Sequence, residues 1–173
     1  MEINTSFKFN ELVAFILPGF TSLFSIRYFS YYINQLIIQI TSNEPKISHI
    51  IVLFMVSLIF GLIIGAIRTL ILDKIQFLTG IEKAKINYSK LTSEDNRKFF
   101  DAAINNVYRF CQFYGNMFIT IFAYLIIYIF KHWKQNDFKS ITVTGIILII
   151  EVILFINHRL YLKEIECVKE QIT

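Results

Sequence analysis

The distribution of charge along the chain divides it into apolar runs and polar connectors. Phe110 to Phe130 holds no charged residue over 21 positions. At helical rise that is about 31 Å, the thickness of a bilayer's hydrocarbon core. Ile50 to Ile67 is a second charge-free run, of 18 residues. Ser140 to Ile156 is a third, interrupted only by Glu151. Leu12 to Ile26 is shorter, with 15 uncharged residues and Pro18 and Gly19 in its middle. The pattern predicts four membrane helices, at about 10–28, 50–72, 110–130 and 140–158. They form a single all-α transmembrane domain, 1–173, organised as a four-helix bundle.

The connectors carry their own periodicity. Ile33 to Ile40 has polar Asn34, Gln35 and Gln39 among apolar residues and is too short to cross, and is read as an amphipathic helix lying on the outer surface or lining an outer vestibule. Residues 73–109 form a cytoplasmic loop with Gly80 as a breaker. Thr92 or Ser93 is expected to cap the third helix, with Glu94 and Asp95 in its first turn. Phe100, Ile104, Val107 and Cys111 then follow helical spacing, so this helix is expected to begin in water. In the tail, 159–173, Leu162, Ile165, Val168 and Ile172 form a matching stripe. Helices three and four are thus predicted to extend together into the cytoplasm. Asn10 is the expected cap of the first helix.

Composition agrees with a lipid environment. Of 173 residues, 55% are hydrophobic, too many for a soluble surface. The N-terminus carries Glu2 and Asn4 where a leader would be basic, so the first run is expected to stay in the mature protein. Net charge is +4, which reads as orientation and headgroup contact, with nucleic acid unfavoured as a direct ligand. With four spans, one side holds twelve Lys and Arg and the other five. The richer side, with both termini, should be cytoplasmic in a bacterial inner membrane. Tyr28, Phe29, Tyr31, Tyr32 and Trp133 then fall at the outer interface, where amphipathic rings settle.

The polar residues inside the runs are the candidate site. Glu151 lies within the fourth span, where an acid costs about 3 kcal/mol and must face protein or water. Asn116, Thr120 and Arg68 are expected near it, with Glu151 facing Asn116 or Arg68. That cluster reads as a structural clamp, as a polar ring formed by several copies, or as a proton or ion relay. Gly61 and Gly65 allow close approach of a helix from the same chain or another copy. Pro18 and Gly19 make a packing notch or a hinge. Arg109, His158 and Arg159 mark the cytoplasmic interface. The two cysteines and three histidines have no metal-ligand spacing, and no catalytic motif is present. Neither enzymatic activity nor a cofactor is expected.

Three segments carry a resemblance: FNELVAFILPGF (9–20), NNVYRFCQFYGNMF (105–118) and LFINHRLYLKEI (154–165). They resemble small four-span bacterial membrane proteins, and size and layout are similar to the membrane accessory proteins of CRISPR defence systems. The resemblance implies an oligomeric pore or permeabilising effector in anti-phage, CRISPR-associated defence. The ribonuclease-like Arg-x(4–6)-His signature discussed for that group is absent here. The expected partners are the lipid bilayer, further copies of the chain, and a cytoplasmic protein. A non-conducting scaffold, docking that protein through its basic loop and helical extensions, is the alternative.

Overall fold

The computed structural model describes residues 5–42, 44–81, 94–132 and 138–170. Side chains are described from 13 onward, apart from most of 95–106 and from 138–140. The helices are α1 (Thr5–Ile26), α2 (Tyr31–Ile40), α3 (Ile47–Ile67), α4 (Asp73–Leu78), α5 (Glu94–His132) and α6 (Phe138–Glu170). A single π-helical turn, Arg68–Leu72, joins α3 to α4. No strand occurs among the described residues.

Three continuous stretches are long and apolar enough to cross a membrane: Ile47–Leu78, Val107–His132 and Ile141–Glu170. Counting α1 and α2 as one broken span gives four; the two are bent by 116°. Ser30 caps α2, accepting a bond from the Ile33 N–H at 3.4 Å. Asn10 does not cap α1, because the helix already begins at Thr5. The Thr92/Ser93 cap, Trp133 and Ile172 lie outside the described residues.

The spans stand in an open row. α6 packs along α5, α5 along α1, and α1 along α3. Contact between α3 and α5 is slighter. Small residues set the α1–α3 crossing. A Cβ on Gly19 would overlap the Ser57 carbonyl oxygen, and one on Gly61 would overlap the Phe15 carbonyl oxygen. Gly65 lies 3.1 Å from the Phe15 ring on the same measure. The Gly61/Gly65 face therefore meets α1 of its own chain, one of the two contacts its spacing allows. Pro18 and Gly19 sit in that seam, both buried.

Aromatic rings fill the α5–α6 seam. Phe110, Tyr114, Phe118 and Phe122 recur every four residues, which stacks them along one helix face. Tyr161 inserts between Phe110 and Tyr114, with centroids 5.4 and 5.5 Å away. Phe155 meets Phe118 at 5.6 Å. Ile147, Glu151, Leu154, His158, Leu162 and Ile165 form the buried face of α6. At its end, Leu162 and Ile165 cluster with Cys111 and Ile81, and Phe77, Val107 and Tyr161 pack around them. The outer faces of α3 and α6, from Ile50 to Ile67 and Ile141 to Leu160, are apolar and exposed.

Candidate functional site

Two polar clusters and one isolated acid interrupt this apolar packing. The first cluster follows from Pro18. Proline has no N–H, so the Ala14 carbonyl one turn earlier loses its helical partner. The Asn116 side-chain amide of α5 donates to that carbonyl at 3.1 Å. Thr120, one turn on, donates to the Asn116 carbonyl at 2.9 Å and reaches the Pro18 carbonyl at 3.4 Å. Both side chains are fully buried. They repair a broken helix and do not pair with Glu151.

The second cluster sits where the apolar runs end. Arg68 is 2% exposed. Its guanidinium lies 3.3 Å from the Asp73 carboxylate, and also reaches Thr69 Oγ1 at 3.3 Å. In a regular α-helix, side chains five apart diverge by about 140°. The wider π turn closes that angle and brings Asp73 back to Arg68. The other Asp73 oxygen lies 3.1 Å from His158 Nε2. His158 Nδ1 faces the Cys111 carbonyl at 3.0 Å and the Cys111 thiol at 3.4 Å. Nδ1 of this fully buried histidine is thereby engaged, while Nε2 stands at ion-pair distance from Asp73 without a hydrogen bond. Gly115 makes room: a Cβ there would stand 2.6 Å from Arg68 Cδ and 2.9 Å from the His158 ring. Arg159, beside His158, donates to Gln76 Oε1 at 2.9 Å, Thr79 Oγ1 at 2.6 Å and the Thr79 carbonyl at 2.9 Å.

Of the residues expected at the cytoplasmic interface, His158 and Arg109 are buried, and Arg159 ties α6 to α4. Arg159 does so through Gln76 on α4 and Thr79 just past its end. Asp73 and Gln76 were absent from the sequence-derived site. Their signal was an acid five residues after Arg68 in an otherwise apolar stretch.

Glu151 stands apart. It is 4% exposed, on the buried face of α6, two turns from His158. Neither carboxylate oxygen has a hydrogen-bond partner among the described residues. The expected pairing with Asn116 or Arg68 does not form, because Pro18 claims the Asn116 amide and Asp73 claims Arg68. Among the described residues, further buried atoms without a hydrogen-bond partner are Ser25 Oγ, His49 Nδ1, Ser57 Oγ, Arg68 Nε, Gln76 Nε2, Asn116 Oδ1 and His158 Nε2. They come from α1, α3, α4, α5, α6 and the π turn, so unmet polar capacity runs through the helix packing. Among the described residues, no three His, Cys, Asp or Glu side chains converge as metal ligands.

These features define a class: an all-helical protein with three to four helices able to span a membrane and polar groups buried between them. No protein-family model, curated protein or solved structure matches the chain.

Proposed function

We propose that this protein permeabilises membranes: several copies assemble in a bacterial inner membrane, termini inward, into a hydrated pathway for small ions. The observation that carries the reading is Glu151. An acid held among membrane helices with both oxygens unpartnered is costly unless water or a permeating ion reaches it. Buried polar atoms of this kind are ordinarily satisfied by water when protein offers no partner. A static anchor gains nothing from such a group, whereas a conduction path gains a charge that draws water and cations. A role as an anti-phage effector rests on the resemblance of segments 9–20, 105–118 and 154–165.

The test is ion flux from liposomes holding purified protein. Wild type should release ions with a steep dependence on protein density, as assembly requires. Glu151→Gln should keep the assembly but lower the flux, and Glu151→Leu should abolish it. A leak-free oligomer at every protein-to-lipid ratio overturns the proposal. It would favour the second reading, a scaffold, for which the lengths of α5 and α6 speak. Their 39 and 33 residues extend about 58 and 50 Å, well beyond a core of ~30 Å. The surplus is available to dock a cytoplasmic protein.

A further inference from the structure

The Arg68 end of the molecule holds a cavity of about 320 Å³ that the permeation reading does not use. Its polar lining is Arg68, Asp73, Tyr108, Glu166 and Lys169. The four charges form two ion pairs: Arg68 with Asp73 at 3.3 Å, and Lys169 with Glu166 at 2.6 Å. The lining is therefore neutral overall, with both signs presented side by side. Phe77, Leu162 and Ile165 supply the apolar wall.

Arg68 is incompletely used. Two of its nitrogens meet Asp73 and Thr69 at 3.3–3.4 Å, and its buried Nε meets nothing among the described residues. A guanidinium is a fork of five donors shaped for a phosphate or carboxylate. Its ring-face contact, 6.0 Å from the Tyr108 centroid, leaves the fork in place. A bare phosphate would nevertheless add an uncompensated negative charge beside Asp73 and Glu166. A phosphate ester that also carries an ammonium would not. Its phosphate takes the donors of Arg68 and Lys169, its ammonium takes the carboxylates, and no net charge is buried.

Position narrows the source. The cavity lies where three apolar runs give way to charge, at Arg68, Arg109 and Arg159. Beside it, Leu70, Ile71, Ile75 and Leu78 project outward, 46–86% exposed. An apolar shelf next to a polar cavity suits acyl chains below a headgroup. We propose that this cavity binds a zwitterionic phosphate ester bearing a primary ammonium, the phosphoethanolamine group, presented by a membrane lipid.

The test measures binding and is independent of ion flux. Detergent-purified protein is offered phosphatidylethanolamine, phosphatidylcholine and phosphatidylglycerol in equal amounts with identical acyl chains. Retained lipid is read by native mass spectrometry. Retention should favour the ethanolamine lipid about tenfold, the worth of one charge-assisted hydrogen bond. The choline lipid has no N–H for the carboxylates, and the glycerol lipid has no cation. Glu166→Gln keeps an oxygen for Lys169 but removes the charge that would hold the ammonium, and should bring the ethanolamine and choline lipids toward parity, with the melting temperature read in parallel to check the fold. A parallel arm adds soluble O-phosphoethanolamine. Displacement by it assigns the ligand to a free ester, and resistance assigns it to the lipid. Equal retention of all three lipids by wild type, preference for the glycerol lipid, or an ethanolamine-over-choline preference undiminished in Glu166→Gln overturns the proposal.

Discussion

Asn116 should be worth most when Pro18 is present. The geometry assigns its amide one task, to supply the hydrogen bond that proline removed from Ala14. Asn116→Leu keeps the volume and deletes the donor. The Ala14 carbonyl is then orphaned inside apolar packing, a loss of about 2 kcal/mol. Membrane hydrogen bonds average ~0.6 kcal/mol in double-mutant cycles, with a maximum near 1.7, because the reference state also finds partners. Pro18→Ala restores a backbone N–H one turn after Ala14. In that background the carbonyl no longer needs the side chain, so Asn116→Leu should cost only its packing change. The expected coupling is about 1 kcal/mol, roughly a fivefold change in the unfolding equilibrium. Unfolding free energies of the four proteins, measured by steric trapping in bicelles, give the cycle. Additivity within about 0.3 kcal/mol would refute the idea that Asn116 repairs the proline break.

Other perturbations separate the remaining contacts. Gly19→Ala forces a methyl onto the Ser57 carbonyl and should cost about 2–3 kcal/mol of unfolding free energy, while Gly145→Ala, which meets open space, should be neutral or gain up to about 1 kcal/mol. Asp73→Asn leaves the buried Arg68 guanidinium without its counter-charge and should lower stability by about 3 kcal/mol in the same assay; an unchanged value would show that the pair contributes nothing. Cys167 is exposed and Cys111 is buried, so an impermeant maleimide should label one thiol per folded chain and two after denaturation. That single labelling should occur in inverted vesicles and not in right-side-out ones, which tests the inward placement of the tail.

Much of the fold was legible because charge is so costly in a membrane core. The run from Phe110 to Phe130 falls within a described span, and α5 continues unbroken from Glu94 to His132. The amphipathic segment after Tyr32 is a helix. The residues at the polar positions were legible, but their partners were not. Asn116 and Ala14 are 102 residues apart, and no pattern in one sequence states that a side chain will answer a proline on another helix. Arg68 and Asp73 were hidden for a different reason. Regular helical geometry separates residues five apart, and only the π turn reunites them. The expectation that Arg68 would neutralise Glu151 assumed that a buried base seeks the buried acid. The nearer acid won, since Asp73 reaches it without spanning two turns of α6.

That outcome bears on how α6 is held. α1, α3 and α5 share close backbone approaches and hydrogen bonds along their lengths. Packing and interhelical hydrogen bonds, more than burial from water, hold helices together in lipid. α6 meets only α5 through most of its span, by rings and aliphatic side chains. At one end α6 carries polar ties to other helices: His158 to Asp73 and Cys111, and Arg159 to Gln76 and Thr79. Glu151 lies two turns beyond that anchor, at about 10 Å along the helix, where no hydrogen bond joins it to α5. Displacing α6 there breaks contacts between apolar groups, which lipid replaces at little cost. It also lets water reach a carboxylate that lacks partners, which lowers the energy of the displaced arrangement. The acid thus sits at a level where no hydrogen bond of its own joins the two helices, and the permeation proposal rests on that coincidence.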